Sequence, residues 1–275
     1  MRIAISTGGG DAPGLNAVIR AAVLSAFDRG WDVLGIKRGY AGLLGEDEVI
    51  ALNRASVSGI GHLGGTILRT TNRGNPFHFP ERQPDGSIVE IDRSDELIDR
   101  ANELGIDAIL TIGGDGSLAI AQKLFEKGVK IVAVPKTIDN DVSCTITSFG
   151  FDTAVSTAID AIDKLHTTAE SHDRVIVLEV MGRDAGFIAL YSGLAGTADV
   201  ILIPEIPYNI ERVCDKIRSR DRAGRHFSIV VAAEGAFPIG GSRSTLGDSL
   251  LGEAHRVGGI AESIAREIQL SLIHI

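Results

Sequence analysis

The fold class is set by the stretch Arg2-Ile3-Ala4-Ile5-Ser6-Thr7-Gly8-Gly9-Gly10-Asp11-Ala12-Pro13-Gly14-Leu15-Asn16. It begins with a short apolar run, residues 2–6, that is typical of a parallel strand covered on both faces. A glycine-rich turn follows, and apolar residues at helical spacing from Leu15 to Ala26 then predict an amphipathic helix. Strand, glycine turn and helix in this order are the unit from which α/β proteins are built.

The same order recurs along the chain, because six more short β-branched runs are followed by turn residues and a helical stretch. These runs cover residues 31–36, 108–112, 130–134, 174–180, 200–203 and 228–233. We therefore predict an α/β protein with two doubly wound, Rossmann-like parallel-sheet domains, residues 1–150 and 151–269. We also expect an exposed loop over residues 72–86 and a final helix over residues 254–269.

Composition and charge exclude several classes of protein. The chain has 275 residues, of which 44% are hydrophobic, and a formal net charge of −9, which argues against nucleic acid or an anionic membrane as a partner. No apolar run approaches the length that spans a membrane. Cys144 and Cys214 stand alone, so neither a zinc site nor a disulfide framework is indicated, and we expect a cytoplasmic protein.

Two glycine turns are candidate phosphate-binding loops, because backbone N–H groups at a helix N-terminus attract anions. The first, residues 8–16, lacks the lysine of a Walker loop, and a tight turn without a ligand is the alternative. The second, residues 112–117, carries Asp115, which suits Mg²⁺ held together with phosphate oxygens, and Ser117, which we expect to cap the following helix. A capped turn with a solvated aspartate is the alternative there.

Two further motifs carry charged side chains. In residues 135–141, Asp139 and Asp141 project to the same side if the backbone of this loop is extended, and one could then act as a base beside Lys136; an Asx-rich turn is the alternative. In residues 181–186, Arg183 could stabilise a transferring phosphoryl group, unless it is a surface arginine. Glu234 closes a buried strand and is expected to face the site.

Six motifs, in this order, resemble the phosphofructokinase family. They are Gly-Gly-Asp-Ala-Pro-Gly-Leu-Asn at 9–16, Gly-Gly-Thr at 64–66, Gly-Gly-Asp-Gly-Ser at 113–117, Thr-Ile-Asp-Asn-Asp at 137–141, Met-Gly-Arg at 181–183 and Pro-Glu at 204–205. The resemblance covers residues 1 to about 269. It implies a cytoplasmic glycolytic kinase that transfers phosphoryl from ATP or pyrophosphate, with Mg²⁺, to the 1-hydroxyl of fructose 6-phosphate. Residues 1–150 would then bind the phosphoryl donor, and residues 151–269 would form an incomplete domain that binds fructose 6-phosphate.

The resemblance also implies roles for individual residues. Asp139, Arg183 and Thr137 would form the catalytic group, with Asp139 as general base, and Asp115 would hold Mg²⁺. The sugar phosphate site would comprise Thr137, Asp139, Asp141, Met181, Gly182, Arg183 and Glu234, with Arg174 reaching the site of a neighbouring subunit in a homodimer or homotetramer. The donor site would comprise Gly10, Asn72, Arg73, Gly114, Asp115, Gly116, Ser117 and Lys136.

Two residues bear on the choice of donor. Pyrophosphate-dependent members of the family usually carry aspartate at the position of Gly116 and lysine at that of Lys136, whereas common ATP-dependent bacterial members have glycine at both. A carboxylate at position 116 would repel the α-phosphate of ATP, and glycine leaves that space open. We therefore expect ATP as donor, with pyrophosphate as the alternative.

The end of the chain carries a separate expectation. Residues 270–275, Leu-Ser-Leu-Ile-His-Ile, match the translation of a transposase end sequence used in preparing DNA sequencing libraries. We expect the natural reading to end at about Gln269, before the family's later Gly-His and Gln-Arg-Gly-Gly residues that help to bind the sugar phosphate. A catalytically inactive nucleotide-binding fragment is therefore an alternative, and a lipid or NAD kinase is a further one that leaves 137–141 and 181–183 unexplained.

Overall fold

The computed structural model describes residues 1–45, 49–71, 74–245 and 257–272. The chain divides into two compact units, the first formed by Met1–Thr137 with Val142–Gly150 and the second by Ile138–Asp141 with Phe151–Ile275. The short segment Ile138–Asp141 therefore belongs to the second unit although it lies between two parts of the first. The binding roles expected for residues 1–150 and 151–269 stay predictions.

The first unit alternates strands and helices. Its strands are β1 (Arg2–Thr7), β2 (Asp32–Ile36), β3 (Val49–Leu52), β4 (Phe79–Arg82), β5 (Ile88–Ile91), β6 (Ala108–Gly113), β7 (Ile131–Thr137) and β8 (Phe149–Gly150). Its α-helices are α1 (Leu15–Phe27), α2 (Ser94–Glu103) and α3 (Asp115–Glu126), with 3₁₀ turns at Gly39–Leu43 and Pro76–His78. The predicted apolar face of α1 is confirmed, since Leu15, Ile19 and Val23 are buried.

The main sheet of the first unit has the strand order β3-β2-β1-β6-β7-β8. All pairs are parallel except β2 with β3, which is antiparallel. The chain proceeds from β1 to β2 on one side and from β6 to β7 on the other, so the order reverses between β1 and β6. In open α/β sheets ligands bind at the carboxyl ends of the strands at such a reversal.

The second unit is a smaller α/β layer structure. Its elements in chain order are α4 (Phe151–Ser171), β9 (Val175–Val180), α5 (Phe187–Ala195), β10 (Val200–Leu202), α6 (Ile210–Arg222), β11 (Ser228–Ala233) and α7 (Ile260–Leu272). The three strands form a parallel sheet in the order β10-β11-β9, in which β11 is completely buried. Helices cover both faces of this sheet, which explains why its strands are almost uniformly apolar.

Two predictions about local structure in the first unit were wrong. Much of the expected loop 72–86 is ordered, because Phe79–Arg82 and Ile88–Ile91 pair as an antiparallel hairpin. Both hairpin strands are largely exposed, so they lack the apolar alternation that marks a strand in a sequence. The strand expected over 130–134 continues to Thr137, since Lys136 and Thr137 pair with β8.

Two helix boundaries also differ from the prediction. The last helix begins at Ile260 rather than near residue 254, and Gly258 and Gly259 before it both have positive φ angles. It continues to Leu272, three residues into the segment expected to be non-native, and residues 273–275 lie outside the described residues. Among the helices of the described ranges, none is long and apolar enough to cross a membrane.

Candidate active site

The two glycine turns of the first unit lie side by side at the carboxyl ends of β1 and β6. Thr7 is in register with Ile112, and the next backbone N–H, that of Gly8, donates to the Ile112 carbonyl at 3.0 Å. Each turn leads into a helix, α1 from Leu15 and α3 from Asp115. The structure thus brings two helix N-termini to the point where the strand order reverses, as an anion-binding site requires.

Ser117 does not cap α3, contrary to the prediction. The helix begins earlier than expected, with Gly114 at its N-cap position and no side-chain cap, so Ser117 lies within the first turn and is buried. Its side chain fills the space between the two glycine turns. A Cβ at Gly8 would lie 2.5 Å from Ser117 Oγ, and one at Gly113 would overlap the Ser117 side chain. The two glycines are therefore required by close packing.

Gly10 and Gly116 have a different environment, because a Cβ built at either would meet nothing within 4 Å among the described residues. Asp115 and Gly116, the first two residues of α3, are both exposed. A neighbouring cavity of about 290 Å³ is lined by Gly8, Gly9, Gly39, Tyr40, Thr71, Gly74, Asn75, Gly116, Ser117 and Ile120. The space beside Gly116 is thus open to a ligand.

Lys136 supplies a buried positive charge to this site. It lies on β7, only 4% exposed, and its Nζ donates to the Gly10 carbonyl. Burial lowers the pKa of the Lys136 ammonium, and the negative charge of Asp11 partly opposes that shift. Gly114 is close to the same strand, since its Cβ would lie 3.3 Å from the Lys136 carbonyl oxygen and 3.8 Å from Thr137 Cβ.

The walls of the site contain polar residues to which sequence reasoning assigned no individual role. The Asn16 side chain donates to the Leu63 and Gly64 carbonyls and accepts from the Ile67 N–H at 2.9 Å, which fixes the Gly-Gly-Thr segment 64–66. Tyr40 lines the cavity, and its hydroxyl lies 2.8 Å from Thr111 Oγ1; burial raises the pKa of Tyr40 to about 12. In the sequence, only the family motifs that contain Asn16 and residues 64–66 indicated that these residues belong to the site.

In the second unit, the Met181–Gly186 turn leads from β9 to α5 and is closely packed. Gly182 has φ 140°, which L-residues avoid, and its Cβ would lie 2.7 Å from the Ala185 carbonyl oxygen. A Cβ at Gly235 would overlap the Arg183 carbonyl, and the Gly235 N–H donates to the Gly182 carbonyl at 3.1 Å. The turn therefore has its backbone fixed against the end of β11.

Charged side chains surround this turn. Arg183 is partly exposed, with Nε 3.9 Å from Asp184 Oδ2, while Asp184 Oδ1 accepts from Arg243 Nη1 at 2.6 Å. The Glu205 carboxylate accepts from the Gly186 N–H at 2.8 Å, at the start of α5. Arg243 therefore holds one oxygen of Asp184, while the other faces the Arg183 guanidinium.

Glu234 follows β11 directly, and its N–H donates to the Val180 carbonyl at 2.8 Å. Burial raises the pKa of the half-buried Glu234 carboxyl, and the negative charge of Glu179 raises it further. A hydrogen bond with the Gly182 backbone and the positive charge of Arg183 act in the opposite direction. The structure therefore brings Glu234 together with Gly182 and Arg183, whereas Met181 beside them is 56% exposed.

The two carboxylates of the third motif are not arranged as predicted. Residues 138–141 are not an extended strand, and Asn140 has φ 58°, in the left-handed region. Asp139 is half-buried and Asp141 exposed, so the premise that both project from one side of an extended backbone is wrong. Ile138 packs against the same small core cluster as Val180, which places this segment near the end of β9.

The remaining predicted site residues lie elsewhere. Arg174 directly precedes β9 and Arg183 follows it, so the strand separates the two by about 20 Å at the usual rise per residue. The structure does not bring Arg174 to the Arg183 turn within one chain. Asn72 and Arg73 lie outside the described residues.

The protein side chains of this site could hold Mg²⁺ only together with phosphate ligands. Within residues 1–45, 49–71, 74–245 and 257–272, no group of three or more His, Cys, Asp and Glu side chains could hold a metal ion. Mg²⁺ commonly takes one or two protein carboxylates and completes its shell with phosphate oxygens and water. The exposed Asp115 carboxylate at an anion-binding helix N-terminus fits that mode.

Comparison with known proteins gives one consistent family. Residues 2–272 match the sequence model described as phosphofructokinase. An ATP-dependent 6-phosphofructokinase of Chloroflexus aurantiacus is 52% identical over 274 residues, 99% of this chain and 76% of that protein. A pyrophosphate–fructose 6-phosphate 1-phosphotransferase of Streptomyces coelicolor is 48% identical, covering 98% of this chain and 75% of that protein.

Solved structures agree with the sequence matches. Phosphofructokinase from Saccharomyces cerevisiae superposes with a TM-score of 0.73 at 32% identity, over 86% of this chain and 34% of the yeast chain. The predicted α/β class is confirmed by this likeness. Fold, glycine turns and sequence matches therefore agree that the chain belongs to the phosphofructokinase family.

Proposed function

We propose that this chain is a 6-phosphofructokinase that transfers the γ-phosphoryl group of ATP to the 1-hydroxyl of fructose 6-phosphate, giving fructose 1,6-bisphosphate. The observation that carries the proposal is the open space at Gly116 on the N-terminus of α3, beside the buried ammonium of Lys136. A triphosphate needs that room, as well as N–H donors and positive charge. The name of the Chloroflexus relative supports the same donor.

The chain's own residues would then act in sequence. Asp139 accepts the proton of the 1-hydroxyl as its oxygen attacks the γ-phosphorus and the bond to the β,γ-bridging oxygen breaks, with ADP as leaving group. Arg183 donates to the oxygens of the transferring phosphoryl group, where negative charge is shared. Asp115 would hold Mg²⁺, which when bound neutralises charge on the donor phosphates.

Binding roles follow from the same arrangement. Gly10, Gly114, Gly116, Ser117 and Lys136 would contact the donor, together with Asn72 and Arg73, which lie outside the described residues. Thr137, Asp141, Met181, Gly182 and Glu234 would contact the sugar phosphate. Since an ionised Glu234 accepts hydrogen bonds from sugar hydroxyls, its raised pKa predicts that substrate binding weakens on acidification earlier than for an ordinary glutamate.

We further propose a homo-oligomer, a dimer or tetramer, in the cytoplasm. Arg174 and Arg183 lie at opposite ends of β9, so Arg174 would serve the site of a neighbouring subunit. Both cysteines are free thiols, which suits a reducing compartment.

Pyrophosphate is the second candidate donor, and one observation favours it. Lys136 is buried beside the Gly10 carbonyl, where its charge could bind pyrophosphate as well as ATP, and the Streptomyces relative is named for pyrophosphate. An aldolase-coupled assay of fructose 1,6-bisphosphate with each donor separates the two. We expect product with ATP; product with pyrophosphate alone would overturn the choice of donor, and no product with either would contradict the proposed reaction for this chain.

A further inference from the structure

Glu179 is a charged residue in an otherwise apolar strand. The strand β9 reads Val-Ile-Val-Leu-Glu-Val, and its side chains alternate between the two faces of the sheet. Val175 and Val177 pack into the core cluster that contains α6 and α7 residues, whereas Ile176 and Leu178 pack into the cluster on the opposite face. By this alternation Glu179 continues the row that faces α7, where burial of an unpartnered carboxylate would be costly.

The Glu179 carboxylate is partnered by the N-terminus of α7. Its Oε1 accepts from the Gly259 N–H at 3.0 Å and its Oε2 from the Ala261 N–H at 2.9 Å. These are N–H groups that have no partner within the helix, and a negative charge at a helix N-terminus is also favoured by the helix dipole. One side chain on β9 therefore fixes the start of a helix that packs on the same strand.

Glu179 also acts on a neighbour in the proposed substrate site. Glu234 follows β11 directly, and Glu179 is paired in register with Ala232, two residues before it. The charged groups that act on Glu234 are Glu179 and Arg183, of opposite sign. Burial raises the pKa of Glu234, and the negative charge of Glu179 raises it further.

We propose that Glu179 is a positioning residue: its carboxylate attaches the N-terminus of α7 to β9 and places a second negative charge beside Glu234. The contacts to α7 stand without the proposed function, but the consequence for substrate binding rests on it. Glu234 would bind the sugar phosphate in its ionised form, so the charge of Glu179 adds to the effect of burial and raises the pH below which that form is lost. Neutralising Glu179 should make Glu234 more acidic.

The test is the titration of the Glu234 side-chain carboxyl, followed by ¹³C NMR in the full chain and in its Glu179→Gln variant. We expect the midpoint of Glu234 to fall in Glu179→Gln, because a like charge is removed. Glu205→Gln is the matched control, since Glu205 also accepts an N–H at a helix start but is not among the charges acting on Glu234. A Glu234 midpoint unchanged in Glu179→Gln would overturn the proposal.

A second measurement covers the case in which Glu179→Gln does not fold. Amide hydrogen exchange of the unmodified chain should show Gly259 and Ala261 protected, whereas rapid exchange at both would overturn the attachment of α7. For the active enzyme, the acid limb of kcat/KM for fructose 6-phosphate should move to lower pH in Glu179→Gln and stay in place in Glu205→Gln. If the chain does not catalyse the proposed reaction, the kinetic measurement cannot be made. The titration of Glu234 by NMR and the amide exchange of Gly259 and Ala261 then test the proposal without it.

Discussion

The two units present charge in different ways. In the first unit, the turn residues Gly10 and Gly116 leave open space at two helix N-termini, and the buried Lys136 supplies a positive charge beside Gly10. In the second unit, the glycines at 182 and 235 are closely packed, and charge is presented by the side chains of Arg183 and Glu234. At these positions glycine leaves room for a ligand in the first unit and fixes a backbone in the second, although Gly8 and Gly113 of the first unit are also closely packed.

This difference matches the chemistry expected of each ligand. A polyphosphate donor is large and uniformly anionic, so open space and backbone N–H groups can bind it without side chains that recognise individual groups. A sugar phosphate carries several hydroxyls that must be oriented for transfer to one of them, and side chains of fixed geometry serve that purpose. If this contrast is correct, substitutions in the two units should differ in their effects on catalysis, stability and choice of donor.

The largest effect should come from Asp139→Ser. Without a carboxylate to accept the hydroxyl proton, we expect turnover to fall by about 10³-fold while the fold is kept. Steady-state kinetics measures the rate, and circular dichroism checks the fold. Asp163→Ser, on an exposed part of α4, is the control and should retain full activity. A wild-type rate in Asp139→Ser would contradict the assignment of the base.

A closely packed glycine and an open one should differ in how much their alanine variants destabilise the protein. Gly235→Ala should lower the free energy of unfolding by about 3 kcal/mol, because its Cβ overlaps the Arg183 carbonyl. Gly116→Ala should leave stability within about 1 kcal/mol or raise it, since alanine favours the helix and meets no atom. Urea denaturation measures both. Equal losses in the two variants would contradict the contrast between the units.

Gly116→Asp tests whether open space selects ATP. A carboxylate there would repel the phosphates of ATP, so we expect kcat/KM for ATP to fall by about 100-fold, with a smaller loss for pyrophosphate. Gln122→Asp adds the same negative charge on an exposed part of α3 and should change neither value by more than about twofold. If Gly116→Asp used ATP as well as the parent chain does, the donor would not depend on this space.

The burial of Lys136 predicts that the affinity for the phosphoryl donor falls as the pH rises. Because burial lowers its pKa, Lys136 loses its proton at a lower pH than an ordinary lysine, and donor affinity should weaken as pH rises through that value. Lys136→Gln should bind donor about tenfold more weakly at neutral pH and lose this alkaline limb. Isothermal titration between neutral and alkaline pH measures both. The exposed Lys130→Gln should behave like the parent chain; an unchanged alkaline limb in Lys136→Gln would exclude Lys136 as its source.

Much of the architecture could be predicted from the sequence because buried parallel strands are continuous apolar runs. The observed β1, β6, β9 and β11 differ from their predicted ranges by no more than one residue at either end. The hairpin of β4 and β5 was missed because both of its strands are exposed. The extension of β7 to Thr137 depends on pairing with the two-residue β8, which no local pattern reveals.

The candidate site could be predicted in its residue types but not in its packing. The sequence indicated Ser117 as a helix cap, yet its side chain is buried between Gly8 and Gly113, a contact between distant segments. A shared side for Asp139 and Asp141 required an extended backbone between them, whereas Asn140 adopts a left-handed conformation. The attachment of α7 to Glu179 joins residues 80 positions apart, which local spacing does not reveal.

Phosphoryl transfer from ATP to fructose 6-phosphate can be followed by ³¹P NMR of the purified chain with Mg²⁺ and fructose 6-phosphate. One sample contains ATP and another contains pyrophosphate. Each donor gives a distinct set of resonances, so the donor consumed and the sugar phosphate formed are seen together. We expect ADP and fructose 1,6-bisphosphate in the ATP sample. Conversion in the pyrophosphate sample alone would contradict the role given to the open space at Gly116.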